Sequence, residues 1–92
     1  MKYTDKVKKC QPFLTKLNEL KDGDKMSFQY NGATYEVSAY KSFDDELSYS
    51  VWKDYRGMNV SKVGRTSLSL YSFDMMGQKT TYRMNLLDLE IL

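Results

Sequence analysis

The sequence predicts an α+β domain, with an N-terminal helix on one face of an antiparallel sheet of about five strands built from two hairpins. Apolar residues recur at helical spacing over the first twenty positions, whereas from Lys25 onward the hydrophobic period changes to two. Asn31-Gly32 then separates two alternating runs, which is the strongest short-range signal for a hairpin. A chain of 92 residues is short enough to form one domain, 1–92.

The helix is predicted from a single apolar stripe. Its members recur at spacings of three and four: Tyr3, Val7, Cys10, Leu14 and Leu17. Pro12 interrupts the stripe, because proline lacks an N–H and clashes with the preceding turn at a cost of ~3 kcal/mol. Either the helix kinks there, or one short helix ends near Cys10 and Pro12 opens a second. The stripe keeps its phase across Pro12, which favours a kink.

The first hairpin is predicted in full register. A two-residue turn at Asn31-Gly32 sets three apolar pairs opposite each other: Tyr30 with Ala33, Phe28 with Tyr35, and Met26 with Val37. Polar residues then fall on the other face of both strands. Pattern and turn chemistry therefore agree.

A third strand and a second hairpin follow. The third strand is predicted within ELSYSVWKDY, and a turn at Asp74-Met75-Met76, with Gly77 in a bulge, pairs Asp74 with Gln78. Counting back sets Leu70 against Tyr82, Leu68 against Met84, and Thr66 against Leu86. The ending LLDLEIL shifts phase after Leu86, so we expect either a bulge that turns it onto the second sheet face or an edge offered to another chain.

The composition argues against an enzyme. The chain has no histidine, which removes the commonest acid–base group and metal ligand. Its one cysteine, Cys10, lies on the apolar stripe and is expected to be a buried structural thiol. Asp44-Asp45-Glu46 lacks the spacing of a calcium loop and is expected to be a solvated turn. We therefore expect no catalytic residue, no metal and no cofactor.

Residues 53–65, KDYRGMNVSKVGR, are predicted to be a long basic loop between strands. Four basic residues stand there against one acid, and no clear helix or strand period is visible. Aromatic and arginine side chains are the usual anchors of protein interfaces. The first functional prediction is thus a protein-binding module, an inhibitor or modulator, whose partner contacts Trp52, Lys53, Tyr55, Arg56, Met58, Lys62 and Arg65.

Nucleic-acid binding is the alternative. The sheet face away from the helix is predicted to carry aromatic side chains able to stack RNA or single-stranded DNA bases, with cations for phosphates. These residues are Tyr40, Trp52, Tyr71, Phe73, Lys79 and Arg83, supported by the basic loop 53–65. The net charge of +2 is small for such a role.

The cellular location and the kind of source are inferred from the composition and from the lack of a recognisable signal peptide or membrane segment. The N-terminal stretch has no apolar signal-peptide region, and no run approaches the ~20 apolar residues of a membrane helix, so we expect no membrane association and a cytoplasmic location. Short length, lysine over arginine and abundant tyrosine are typical of small phage or mobile-element proteins. For such a protein we expect a host protein as partner, in the host cytoplasm. Homodimerisation through segment 86–92 is a further prediction.

Overall fold

A computed structural model describes residues 2–92 as one helix and seven strands. Helix α1 spans Tyr3–Glu19, and a 3₁₀ turn spans Leu86–Asp88. The strands are β1 Lys25–Tyr30, β2 Ala33–Lys41, β3 Leu47–Lys53, β4 Arg56–Val63, β5 Ser67–Phe73, β6 Lys79–Asn85 and β7 Leu89–Ile91. The predicted α+β class with an antiparallel sheet is confirmed, but the strand count is seven rather than about five.

The seven strands form one sheet in the order β6-β5-β4-β3-β2-β1-β7, and all neighbours are antiparallel. The sheet curls into a half-barrel. The β6 margin approaches β1, the strand next to the other margin, where the backbone N–H of Asn85 donates to the hydroxyl of Tyr30 at 3.4 Å. The curl therefore gives the sheet an inner side, which faces α1, and an outer side, here called the free face.

Both predicted hairpins are confirmed in register. Across Asn31-Gly32, Phe28 pairs with Tyr35 and Met26 with Val37. Both turn residues have positive φ, 51° for Asn31 and 79° for Gly32, as a tight hairpin turn requires. In the second hairpin Leu70 pairs with Tyr82, Leu68 pairs with Met84, and the Leu86 N–H donates to Thr66 O at 2.9 Å.

The prediction of a long loop over residues 53–65 is wrong. A two-residue turn, Asp54-Tyr55, reverses the chain, Lys53 pairs with Arg56, and strand β4 runs to Val63. Asp54 adopts a left-handed φ of 56°, which aspartate tolerates better than most residues. A register shift between Val60 and Lys62 breaks the alternation of side chains. Because of this irregularity, the sequence of β4 lacks the period of two by which a strand is recognised.

The C-terminal segment is folded into the same sheet rather than onto the free face. The 3₁₀ turn corrects the phase after Leu86, so Leu89 and Ile91 pair with Tyr30 and Phe28 in β7. Both side chains then pack against the core. One side of β7 is thereby used within the chain.

Helix α1 is continuous from Tyr3 to Glu19, so it is not split at Pro12. It buries Cys10, Phe13 and Leu17 against the inner side of the sheet. Seven further buried core residues meet this contact: Phe28, Val37, Val51, Leu68, Leu70 and Met84 from the sheet, and Leu86 from the 3₁₀ turn. Each fully buried side chain of this size contributes about 1.5–3 kcal/mol relative to exposure. The Tyr49 hydroxyl also donates to the carbonyl of Leu17 at 3.3 Å, which fixes the helix end on β3.

Candidate partner-binding site

Three hairpin turns lie at one end of the sheet. Because β1–β2, β3–β4 and β5–β6 are antiparallel neighbours, the turns Asn31-Gly32, Asp54-Tyr55 and Asp74–Gly77 face the same direction. We call this the hairpin end. The buried helix residues do not line the inner side there, and the sheet opens into a groove.

This opening, here called the mouth groove, has a volume of about 710 Å³. Strands β2 to β6 supply its lining: Tyr35, Lys53, Asp54, Arg56, Gly57, Met58, Ser72, Phe73 and Tyr82. The Lys53 ammonium lies 5.8 Å from the centre of the Tyr35 ring, within reach of a cation–π contact. The lining thus combines aromatic surface, one methionine, two cations and the carboxylate of Asp54.

Large apolar side chains at the rim project into solvent. Tyr55, Met75 and Met76 are at least 91% exposed, and Phe73 and Tyr82 are more than half exposed. Asp74 stabilises the turn that carries the methionines, because its Oδ1 accepts hydrogen bonds from the N–H groups of Met76 at 2.9 Å and Gln78 at 2.8 Å. The two methionines are therefore displayed on an ordered turn without packing partners.

Trp52 lies on the free face, just behind the rim. Its ring covers Gly57, where an added Cβ would lie 2.7 Å from the ring, so only glycine permits this approach. The indole N–H donates to Ser50 Oγ at 2.9 Å. The tryptophan remains 41% exposed, which makes it a fixed and accessible aromatic surface.

The residues predicted for the partner site separate into three places. Lys53, Arg56 and Met58 line the mouth groove, and Tyr55 stands at its rim. Trp52 lies on the opposite face of the same hairpin. Lys62 and Arg65 lie elsewhere, in a cleft beside the start of α1.

Five residues of this site were missed from the sequence: Tyr35, Phe73 as a groove residue, Met75, Met76 and Tyr82. The run Asp74-Met75-Met76-Gly77 carried a usable signal. Two methionines inside a tight turn have no strand neighbour to cover them, so their exposure follows from the turn alone.

By strand register the residues of the predicted nucleic-acid face lie on the free face, and Phe73, at the end of β5, also borders the mouth groove. Tyr71 and Phe73 contact edge to face, with ring centres 5.8 Å apart, and the Lys79 ammonium lies 4.9 Å from the Tyr71 ring. Arg83 shares this side of β6. Trp52 pairs across strands with Glu36, and Tyr40 lies at the far end of β2, so these two do not join the Tyr71–Phe73 pair.

Two adjoining clefts form a basic surface beside the start of α1. They share Thr66, Ser67 and Arg83, and their volumes are about 410 and 320 Å³. No acidic residue of the described stretch 2–92 lines either cleft. The other lining residues are Tyr3, Lys6, Lys62, Gly64, Arg65, Ser69, Asn85 and Leu87. Among residues 2–92 the ion pairs are Lys25–Glu36 and Lys41–Asp45, so the cations of this basic cleft have no carboxylate within 4.0 Å.

The remaining reactive groups lie away from the mouth groove. Burial raises the pKa of the Cys10 thiol, with Lys9 acting in the opposite direction, so the nucleophilic thiolate is disfavoured. The hydroxyl of Ser42 hydrogen-bonds the Asp44 carboxylate and lowers its pKa. Within the described part of the chain no group of three or more acidic or cysteine side chains is placed to hold a metal ion.

No protein-family model, no curated protein and no solved structure matches this chain. Among residues 2–92, no helix is both long and apolar enough to cross a bilayer. Function has to be argued from the geometry of the surface.

Proposed function

We propose that the protein is a non-enzymatic protein-binding module, an inhibitor or modulator, which contacts its partner through the hairpin end. The observation that carries this proposal is the ring of exposed apolar side chains around the mouth groove. Ordered, largely exposed methionines and aromatics in one patch are unusual on a surface that only faces water.

The chemistry of the patch suits a protein partner. Tyrosine and arginine dominate the energetics of protein interfaces, and methionine adapts to irregular apolar surfaces. Tyr55 and Arg56 stand side by side at the β3–β4 turn, with Met75 and Met76 on the next hairpin. Backbone atoms of both turns are held by strand pairing, so little backbone freedom is lost when a partner binds.

The test is capture of a partner by the wild type and by variants of the patch. A tagged protein is incubated with native lysate of the cells in which it naturally occurs, with and without nuclease, and captured proteins are identified by mass spectrometry. We expect one partner to survive nuclease and to be lost with the double substitution Tyr55→Ser and Met75→Ser. Each of the two substitutions alone is expected to weaken binding of the partner by at least about tenfold, or ~1.4 kcal/mol.

A matched control is available at the opposite end of the sheet. Phe43 is also fully exposed, but it lies in the β2–β3 turn. Phe43→Ser removes equivalent apolar surface without touching the hairpin end, and capture should be unchanged. Loss of the partner with Phe43→Ser and retention with the double variant would move the interface away from the mouth groove.

Nucleic-acid binding is the second candidate, favoured by the asymmetry of charge. Residues 55–87, which include β4 to β6, hold five basic residues and one acid. Residues 22–46, which include β1 and β2, hold two basic residues and six acids. The single acid of the basic part, Asp74, is occupied by its own turn. A basic cleft beside the Tyr71–Phe73 pair is suited to a phosphate backbone with stacked bases.

This candidate is tested by anisotropy of labelled single-stranded RNA and DNA at increasing salt. A backbone binder loses affinity steeply with salt, and Lys62→Glu with Arg65→Glu should abolish binding of all sequences alike. Lys16→Glu with Lys21→Glu, an equal change of charge near the C-terminal end of α1, serves as the control. Binding that is absent at low salt, or equally weakened by the control variant, rejects this candidate.

A further inference from the structure

Within residues 2–92, strand β6 has one side without a neighbouring strand. It is the first strand in the sheet order and, in this part of the chain, pairs with β5 alone, whereas the other margin of the sheet is β7. Residues Lys79 to Arg83 are all exposed. A strand edge of this kind presents unpaired N–H and C=O groups, which are a template for another strand.

The hydrogen bonds of the β5–β6 hairpin show which groups point outward. Asp74 N–H donates to Gln78 O at 3.0 Å, and Leu86 N–H donates to Thr66 O at 2.9 Å. Bonded pairs recur at every second position in an antiparallel ladder, so the even-numbered residues of β6 bond to β5. The backbone groups of Lys79, Thr81 and Arg83 therefore point away from β5. The Asn85 N–H also points outward, and it reaches the Tyr30 hydroxyl.

A small pocket lies just inside this edge. Its volume is about 130 Å³, and its lining is Tyr30, Tyr35, Met58, Leu70, Tyr82, Arg83 and Met84. A cavity of about 150 Å³ in a protein interior accepts a benzene molecule. The pocket is slightly smaller than that, which suits one branched aliphatic side chain, and three of its seven lining residues belong to β6.

The charges along the edge indicate what the opposite strand carries. Lys79 and Arg83 lie on the free face, two positions to either side of Thr81, and neither has a carboxylate within 4.0 Å in residues 2–92. β6 itself contains no acid. Oppositely charged pairs across strands are favourable, and like charges directly opposite are unfavourable.

We propose that β6 receives an extended segment of the partner protein as an added strand, in which acidic residues alternate with apolar ones. The acidic residues face Lys79 and Arg83, while an apolar residue opposite Tyr82 fills the small pocket. The segment pairs with the backbone of Lys79, Thr81 and Arg83. This inference rests on the proposed protein-binding function and specifies how the partner is held.

A second copy of the chain fits the edge less well. The antiparallel register that uses all three outward residues centres on Thr81, and it sets Lys79 of each copy directly opposite Arg83 of the other. Both charges lie on the same face, so each copy meets two like-charge pairs. The charge pattern therefore favours a different, acidic strand.

The probe for this inference is a displayed library of random short linear peptides, selected on the wild-type protein. Enriched peptides are expected to alternate acidic with apolar residues and to shift the amide resonances of residues 79–85 in ¹⁵N NMR spectra. Thr81→Pro removes one outward N–H without touching the bonds to β5, and it should weaken these peptides at least about tenfold. Thr81→Ala keeps the N–H and should bind them like the wild type.

A second variant keeps the test decisive if proline disturbs folding. Lys79→Glu combined with Arg83→Glu should reverse the preference, so that peptides alternating basic with apolar residues are enriched. An empty selection, equal peptide binding by Thr81→Pro, or a wild-type dimer that Thr81→Pro dissociates in sedimentation would each overturn the proposal. The two proposals can fail separately. A protein partner that is captured by Thr81→Pro but lost with Tyr55→Ser and Met75→Ser would support the hairpin end as the binding site and reject strand addition at β6.

Discussion

Apolar side chains are buried where α1 covers the sheet and exposed at the hairpin end. At the end covered by α1, Leu17 and its sheet neighbours are almost completely buried. At the hairpin end, Tyr55, Met75 and Met76 are almost completely exposed. Helix α1, with 17 residues, covers only part of the inner side. The apolar side chains under it are buried by the protein itself, whereas those at the hairpin end remain exposed.

This contrast separates stability from recognition. Buried side chains contribute to the free energy of unfolding in proportion to the apolar area they remove from water. Side chains that stay exposed in the folded state contribute little to it. The apolar residues of the hairpin end are thus available for binding without being needed for folding, and substitutions at the two ends should give different responses.

The largest expected effect is at the covered end. Leu17→Ala removes a fully buried side chain and leaves a cavity, so the free energy of unfolding should fall by about 2–5 kcal/mol. Urea denaturation followed by circular dichroism measures this. Leu17→Met, which nearly conserves volume, should cost less than about 1.5 kcal/mol. A loss below that value for alanine would mean that the helix is not packed as described.

Gly57→Val tests whether the Trp52 ring at the hairpin end is held in place against Gly57 before any partner binds. The new side chain would enter the space of the Trp52 ring, so the ring must move and unfolding should become easier by about 1–3 kcal/mol. Trp52 is the only tryptophan, and its fluorescence should shift to the red. Ser50→Ala, which removes only the indole's hydrogen-bond partner, should shift it much less. An unchanged spectrum for Gly57→Val would contradict the contact.

Pro12→Ala is expected to stabilise the protein. The helix is continuous through Pro12, where proline leaves one helical carbonyl without its N–H donor. Alanine restores the donor, and the gain is partly offset by the greater freedom of the unfolded chain, by ~1 kcal/mol. The net gain should be at most about 2 kcal/mol, seen as a rise in Tm. A fall in Tm would show that the proline has a packing role.

The smallest effect on stability is expected at the hairpin end. Met75→Ser and Met76→Ser change side chains without packing partners, so the free energy of unfolding should stay within about 0.5 kcal/mol of the wild type. The same urea denaturation experiment measures this. A loss comparable to that of Leu17→Ala would mean that the hairpin end belongs to the core, and the contrast between the ends would disappear.

Local chemistry explains which elements could be predicted. The turns at Asn31-Gly32 and Asp74–Gly77 carry glycine where φ is positive, so register follows from a few neighbouring residues. The β3–β4 turn has no glycine, and the register shift after Val60 interrupts the alternation in β4. Strand β7 has three residues and forms only because β1 offers it an edge. Its position depends on residues about sixty positions away, which no local pattern contains.

The candidate site was predictable only in part, for a similar reason. Lys53, Tyr55, Arg56 and Met58 were found because they are consecutive or nearly so. Tyr35 and Tyr82 come from other strands, and only the curl of the sheet brings them to the same groove. A set that is gathered by curvature leaves no mark in a linear pattern.

The pairing of β7 with β1 has a consequence for synthesis on the ribosome. β1 emerges early from the ribosome, yet the strand that pairs with its edge opposite β2 is Leu89–Ile91, which is made after the other strands. During translation that flank of β1 stays bare and open to wrong pairing. With a C-terminal linker long enough to fill the exit tunnel, we expect ribosome-bound chains that end before Leu89 to be digested by protease within Lys25–Tyr30, and chains that include Leu89–Ile91 to resist it.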